Sequence, residues 1–339
     1  MNSISKKKKL FNINKGLFEY LAQYNRLTEL PVQYEDLLRY DNSITLYDKD
    51  GKDTLWESVI YSPSNMRELN KSLTMIYALL KAEGEISVME HLKVDRVDYC
   101  SFGNSNPFRV KIINQINDNY DYFYVKKADA SRVFGLELEH ILSPNRISYI
   151  VHDQTLIEEH IAGIPGDQFI LDYIKQDKVN KVRIAKEFVK FNERCFTRLL
   201  GDMRAYNYVV DITPDFDEVQ YRIRAIDFDQ QSYEGKKTLY LPQYFKENIS
   251  MVELCMDLLS PETVLQYQKE ERTLIRRRLI SSKYRMKDLI DVMRQTDVSI
   301  KNKVTQLRKE LSEHHRESGF NKCNNMGDVV RMNLKAVLT

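Results

Sequence analysis

The sequence predicts an α+β fold in two lobes, and three observations predict it. Short β-rich runs separated by turn clusters fill residues 96–160, and helical periodicity dominates residues 161–339. A chain of 339 residues is also long enough for roughly two compact lobes. With 42% hydrophobic and 29% charged residues it can bury a large core, and only 11 Gly and 8 Pro argue against a low-complexity chain.

Residues 1–95 read mostly as helix and connector, an extra helical N-terminal segment. In residues 65–81, Met66, Leu69, Leu73, Ile76, Tyr77 and Leu80 recur at three and four, which is one apolar helical face. Ser64 offers a cap and Gly84 follows the end. From Arg96 the pattern changes. Residues 97–102 form a β-rich run, 103–107 a turn cluster, 108–116 a second strand, 117–119 a turn and 120–127 a third strand. Residues 130–142 return to helical spacing, and 147–152 and 155–161 read as two further strands. This order predicts a five-stranded antiparallel sheet carrying one helix. After Gly163-Ile164-Pro165-Gly166 the chain becomes mainly helical, most clearly over 181–200, with a hairpin at 208–211 and 219–228 as the exception. The expected organisation is an extension (1–95), a sheet-rich lobe (96–160) and a helical lobe (161–339).

The chemistry concentrates in Leu200-Gly201-Asp202-Met203-Arg204-Ala205-Tyr206-Asn207 and Ile226-Asp227-Phe228-Asp229. An Asp followed five residues later by Asn, then by an Asp closing a strand, offers what phosphoryl transfer requires. Asp202 would orient a hydroxyl, Arg204 would neutralise phosphate charge, and Asn207 and Asp227 would offer oxygens to Mg²⁺. The third strand ends in Lys126-Lys127, either of which could reach a phosphate, and the next helix offers Glu137 and Glu139 as partners; Glu137 lies closer to its packed face. Gly103, in the first turn, is one place where backbone N–H groups could approach phosphate oxygens. Glu159-His160-Ile161-Ala162-Gly163 is a Gly-ended connector whose backbone could meet an adenine edge.

With these residues in this order, the chain resembles the protein-kinase-like superfamily, over roughly residues 96–260. Gly201-Asp202 and Ile226-Asp227-Phe228-Asp229 are similar to motifs of its aminoglycoside-phosphotransferase and choline-kinase-like branch, and Glu159 to Gly163 is similar to that branch's hinge. The resemblance implies a bilobal fold, ATP and Mg²⁺. It implies Lys126 or Lys127 as nucleotide lysine with Glu137 as partner, Gly103, Glu159 and Ile161 near the nucleotide, Asp202 and Arg204 as catalytic residues, and Asn207 and Asp227 as metal ligands. The acceptor would be a hydroxyl-bearing small molecule or protein. Leu200 stands where the family usually has His, the glycine loop holds only Gly103, and no Ala-Pro-Glu follows Asp229. A non-catalytic kinase-like binding or scaffold protein is the alternative.

The remaining signals are bland. A net charge of +2 makes a nucleic-acid partner unlikely on composition. The cysteines Cys100, Cys195, Cys255 and Cys323 form no Cys-x-x-Cys pair and read as ordinary thiols. No apolar run approaches about 18 residues, and Lys6 to Lys9 precede no apolar segment of a secretory signal, so a cytoplasmic protein with a frayed basic terminus is expected. The basic stretch 272–287 reads as a solvated helix face or an anion-docking surface, and His314-His315 as surface.

Overall fold

In the computed structural model, which describes residues 8–81, 90–215 and 218–339, the β-rich runs assemble into a seven-stranded antiparallel sheet. Its strands are β1 (Asn42–Tyr47), β2 (Asp53–Ile60), β3 (Leu92–Tyr99), β4 (Phe108–Asn114), β5 (Tyr120–Lys127), β6 (Tyr149–His152) and β7 (Thr155–Glu159). They lie in the order β1-β2-β3-β4-β5-β7-β6. The sheet belongs to the first of two compact units, Met1–Asp129 with Ile147–His160; the second is Ala130–Arg146 with Ile161–Thr339.

Period-two alternation puts Val110, Ile112, Phe123, Val125 and Ile157 on one buried face. A register shift between Val94 and Arg96 lets Val94 and Val97 both join it, despite their odd spacing. Among the described residues, this unit contains the helices α1 (Lys15–Gln23), α2 (Tyr34–Leu37) and α3 (Pro63–Lys81). α3 lays Leu69, Leu73, Ile76 and Leu80 on the apolar face. The outer edge of β6 is covered by residues 26–28, where the Val151 N–H donates to the Arg26 carbonyl at 2.8 Å and the Thr28 N–H to Val151 at 3.2 Å.

The second unit contains α4 (Ala130–Leu142), α5 (Gly166–Gln168), α6 (Lys181–Arg198), α7 (Ile249–Leu258), α8 (Pro261–Ser281), α9 (Lys283–Met293), α10 (Lys301–His315) and α11 (Met326–Leu338). A small sheet of β8 (Ile164–Pro165), β9 (Tyr208–Asp215) and β10 (Glu218–Ala225) accompanies them. α6 is the central helix and packs on α7, α8, α11 and β10. It starts at Asn180, whose side chain accepts the Arg183 N–H at 3.1 Å. Its buried charges are paired: Arg194 with Glu187 at 2.6 Å, Arg198 with Glu139 of α4, and Glu193 with Arg272 of α8 at 2.7 Å. Unpaired, each such ion would cost several kcal/mol to bury. No helix among the described residues is long and apolar enough to cross a membrane.

Several expectations need correction. The sheet has seven strands rather than five, because residues 42–60, expected as part of a helical extension, form the β1–β2 hairpin. Its turn is made by Asp48, whose Oδ1 accepts the N–H groups of Asp50 and Lys52, both at 2.9 Å, and by Gly51 at φ 74°. β3 starts at Leu92, before Arg96. α3 packs on the sheet; α4, expected to belong with the sheet, is assigned to the second unit, where it packs against α8 and α9. Ser62 rather than Ser64 caps α3, its Oγ accepting the Asn65 N–H at 3.4 Å. Of the basic terminus, Lys6 and Lys7 lie outside the described residues, as does Gly84, but Lys8 is not solvated: it is buried, with Nζ 2.5 Å from Asp129 Oδ2.

That ion pair ties residue 8 to residue 129, and Asp129 Oδ1 also accepts the Phe11 N–H at 2.8 Å. Both side chains are about 1% exposed. Truncating one partner leaves the other charge buried, so Asp129→Ala is expected to cost about 3 kcal/mol in urea unfolding. A change within about 0.5 kcal/mol, as for a surface substitution, would show the pair to be dispensable.

Candidate functional site

The candidate residues of the second unit are built on the exit of α6. The helix ends at Leu199 in the left-handed region, φ 55°, a conformation that costs a non-glycine residue about 1 kcal/mol. The fully buried Gln231 offsets that cost: its Nε2 donates to the carbonyls of Arg198 at 2.6 Å and Leu199 at 3.1 Å. The Ser232 N–H donates to Leu199 at 2.9 Å, the Gly201 N–H to Gln230 at 3.3 Å, and the Asp202 N–H to Leu239 at 3.0 Å. Asp202 is thereby held at φ 59°, a region that Asp and Asn enter more readily than most residues.

From there the loop turns back on itself. Asp202 Oδ1 accepts Arg204 Nε at 2.8 Å, and Arg204 Nη1 donates to Glu247 Oε1 at 2.9 Å. Asn207 Nδ2 donates to the Asp202 carbonyl at 2.7 Å, which leaves Oδ1 as the amide oxygen to offer a cation. The Ile226 N–H donates to the Asn207 carbonyl at 3.0 Å, and so sets Asp227, the next residue, beside the loop. Asp227 Oδ1 accepts the Asp229 N–H at 3.0 Å and Arg132 Nη1 at 2.8 Å; the same Nη1 donates to Asp229 Oδ1 at 2.7 Å. Arg132 belongs to α4, as does Ser131, whose Oγ donates to the Gln231 carbonyl at 2.7 Å. Gly135 permits this approach, since a Cβ there would lie 2.9 Å from Phe228 Cβ.

Burial pushes the Asp202 carboxyl up, against the hydrogen bond and charge of Arg204, which pull it down. Asn207 and Asp227 supply one amide and one carboxylate. Mg²⁺ commonly takes only one or two protein oxygens and fills its sphere with water and phosphate, so this donor set fits it. Among the described residues no group of three His, Cys, Asp or Glu could hold a metal.

The other expected residues are placed as follows. In the first unit, Lys126 is buried and its Nζ lies 2.7 Å from Glu158 Oε2 of β7. Lys127 is more exposed and pairs with Glu35 at 3.0 Å. Gly103 sits in a turn pinned by Asn106, whose Nδ2 donates to Tyr99 Oη at 3.2 Å and to the Ser101 carbonyl at 3.1 Å. Glu159 accepts the Ser148 N–H at 2.8 Å and Lys81 Nζ at 3.3 Å. In the second unit, Ile161 is buried, and Glu137, expected as the lysine's partner, is fully buried and held by Arg285 of α9 through Nε at 3.0 Å and Nη2 at 2.8 Å. The structure therefore brings Asp202, Arg204, Asn207 and Asp227 together. Arg132, Gln231 and Gly135 were missed by sequence reasoning. Arg132 lies one residue before Val133 on an apolar helix, and that misplaced charge was the one available signal.

Comparison with known proteins assigns no family. No family model and no curated protein sequence matches the chain. A solved structure described as "Titin kinase and its flanking domains" is similar over 72% of this chain and about half, 54%, of that chain, at 12% identity and a TM-score of 0.28. At that score the likeness carries no argument, and none of the comparisons supports the aminoglycoside-phosphotransferase and choline-kinase-like branch in particular.

Two outcomes test this geometry. Asp202→Asn keeps the left-handed backbone and an acceptor for Arg204, but removes a carboxylate whose ionisation the fold opposes. Because the folded-state pKa is raised, the native carboxylate costs stability above that pKa, and the cost fades as pH falls through it. The variant is therefore expected to melt higher than the parent at neutral pH, with the gap closing on acidification; a gap that widens would contradict the burial. Gly135→Ala is expected to cost about 1–3 kcal/mol in urea unfolding, by driving a Cβ into Phe228.

Proposed function

We propose that this chain is an ATP- and Mg²⁺-dependent phosphotransferase acting on a hydroxyl of a small molecule or a protein side chain. The observation that carries this reading is the gathering of Asp202, Arg204, Asn207 and Asp227 on one doubly anchored loop and hairpin within a single unit. Asp202 orients the acceptor hydroxyl and receives its proton as the new O–P bond forms and the bond to ADP breaks. A carboxyl raised by burial suits that exchange, because its pKa moves toward that of a working base. Arg204 carries positive charge beside Asp202, toward the transferred phosphoryl group. Asn207 and Asp227 would hold Mg²⁺, which neutralises phosphate charge when bound. Within the first unit, Lys126 rather than the more exposed Lys127 is the candidate to meet a phosphate. The similarity of Ile226-Asp227-Phe228-Asp229 to the aminoglycoside-phosphotransferase and choline-kinase-like branch favours a small-molecule acceptor.

One observation favours the second reading, a non-catalytic kinase-like binding protein. Arg132 already supplies a buried cation to both Asp227 and Asp229. The two readings part on Asp227→Ala. A phosphotransferase loses ATP turnover on the order of a thousandfold while keeping its far-UV circular dichroism. Its parent melts higher with ATP and Mg²⁺ together than with either alone, by the linkage of binding to folding. Turnover retained in purified Asp227→Ala protein overturns the phosphotransferase; a parent with neither turnover nor a metal-dependent shift is the scaffold.

A further inference from the structure

Away from Asp202, α8, α9 and α11 enclose an open groove of about 580 Å³. Its floor is apolar: Leu279, Met286, Ile290, Leu334 and Leu338. Its walls are cationic, and helical spacing explains why. Arg276, Lys283 and Lys287 recur along α8 and α9 on one side, and Arg331 and Lys335 stand four apart on α11 on the other. All five are exposed. Asp291 is the one acidic residue of the lining, and its carboxylate is already 2.8 Å from Lys287. Among the described residues, no carboxylate lies within ion-pair distance of Arg276, Lys283, Arg331 or Lys335, whereas the buried Arg132, Arg194 and Arg198 of this unit are paired.

We propose that this groove is a docking site for an acidic amphipathic helix of a partner protein. The occupant follows from the charge pattern and the shape. An apolar stripe would fill the floor, and acidic residues on both flanks of the same helix would meet the two cationic ridges. A membrane surface fits less well. Helices that lie on bilayers push a broad apolar face outward past their cations, whereas here Met286, Ile290 and Leu334 are buried beneath theirs and Ile280 is the one apolar lining residue that is mostly exposed. The site is independent of phosphoryl transfer and makes no use of Asp202 or Asp227. It also gives the basic stretch 272–287 an assignment more specific than a solvated face.

The test uses the full chain and a fluorescein-labelled peptide of about 18 residues, five helical turns, with Leu at i, i+3, i+4 and i+7 and Glu elsewhere. Fluorescence anisotropy is expected to show saturable binding that weakens with added salt. It should weaken by about tenfold in Lys283→Glu/Arg331→Glu, and measurably in Lys335→Glu alone, at unchanged melting temperature. A peptide of the same composition in shuffled order is expected to bind at least about tenfold more weakly, since it has no apolar stripe. Equal binding of the shuffled peptide, or of the charge-reversed protein, overturns the proposal. So does an absence of saturation, or co-sedimentation with phosphatidylserine vesicles in place of peptide binding.

Discussion

The second unit depends on one polar contact: the buried side chain of Gln231, which closes the C-terminus of α6. A helix leaves its last carbonyls without internal partners, and here the exit is also in the left-handed region at Leu199. Gln231 satisfies two of those carbonyls with one amide. It thereby joins two segments some thirty residues apart, the loop carrying Asp202 and the turn carrying Asp227 and Asp229. The Gly201 and Ser232 N–H groups extend the same junction into a short ladder. From the other side α4 grips the turn through Ser131, Arg132 and the space left by Gly135. The candidate residues stand on backbone that is over-determined, which is how strained conformations at Leu199 and Asp202 persist.

The same economy governs the charges. α4 enters the second unit with Glu137 and Glu139 on faces that become buried, and each meets an arginine from another helix, Arg285 and Arg198. α6 repeats the device with Arg194 and Glu193. Such pairs add little net stability over apolar packing, but they penalise any arrangement that separates them. They therefore fix how α4, α6, α8 and α9 meet. With the interior cations committed in this way, Arg276, Lys283, Arg331 and Lys335 stand on exposed ridges with no carboxylate at ion-pair distance among the described residues, which a net charge of +2 conceals.

Much of this was legible in the sequence, and what was not has physical causes. The strand alternation of 108–127 and the helical spacing of 130–142 are strong local signals; β5 and α4 begin and end where they were expected. The β1–β2 hairpin was missed because its strands expose Ile44, Tyr47 and Leu55, so no apolar stripe marks them. Its Asp-Lys-Asp-Gly turn was the readable cue. Chain order places α4 after β5, and order alone cannot reveal that Glu137 finds an arginine 148 residues away or that Glu139 meets Arg198 of α6. At the candidate site, spacing brought forward Asp202, Asn207 and Asp227, which one short stretch of chain can arrange. Arg132 and Gln231 act through tertiary contacts that no local pattern encodes.

Arg132 also sets the terms on which Asp227 can act. One guanidinium nitrogen within 2.8 Å of both carboxylates places a fixed positive charge where the motif's negative charge would otherwise attract a cation. At about 4 Å and an effective dielectric of about 20, unit charges interact by about 4 kcal/mol whichever their sign, so the guanidinium cancels the pull of one of the two carboxylates. A divalent ion approaching Asp227 therefore meets one net negative charge rather than two. Asp229, with its side chain almost fully buried against Arg132, is what would hold the arginine if Asp227 let go. On this arrangement Asp227 shares its charge between a resident cation and an incoming one, and α4, through Arg132, weighs the exchange.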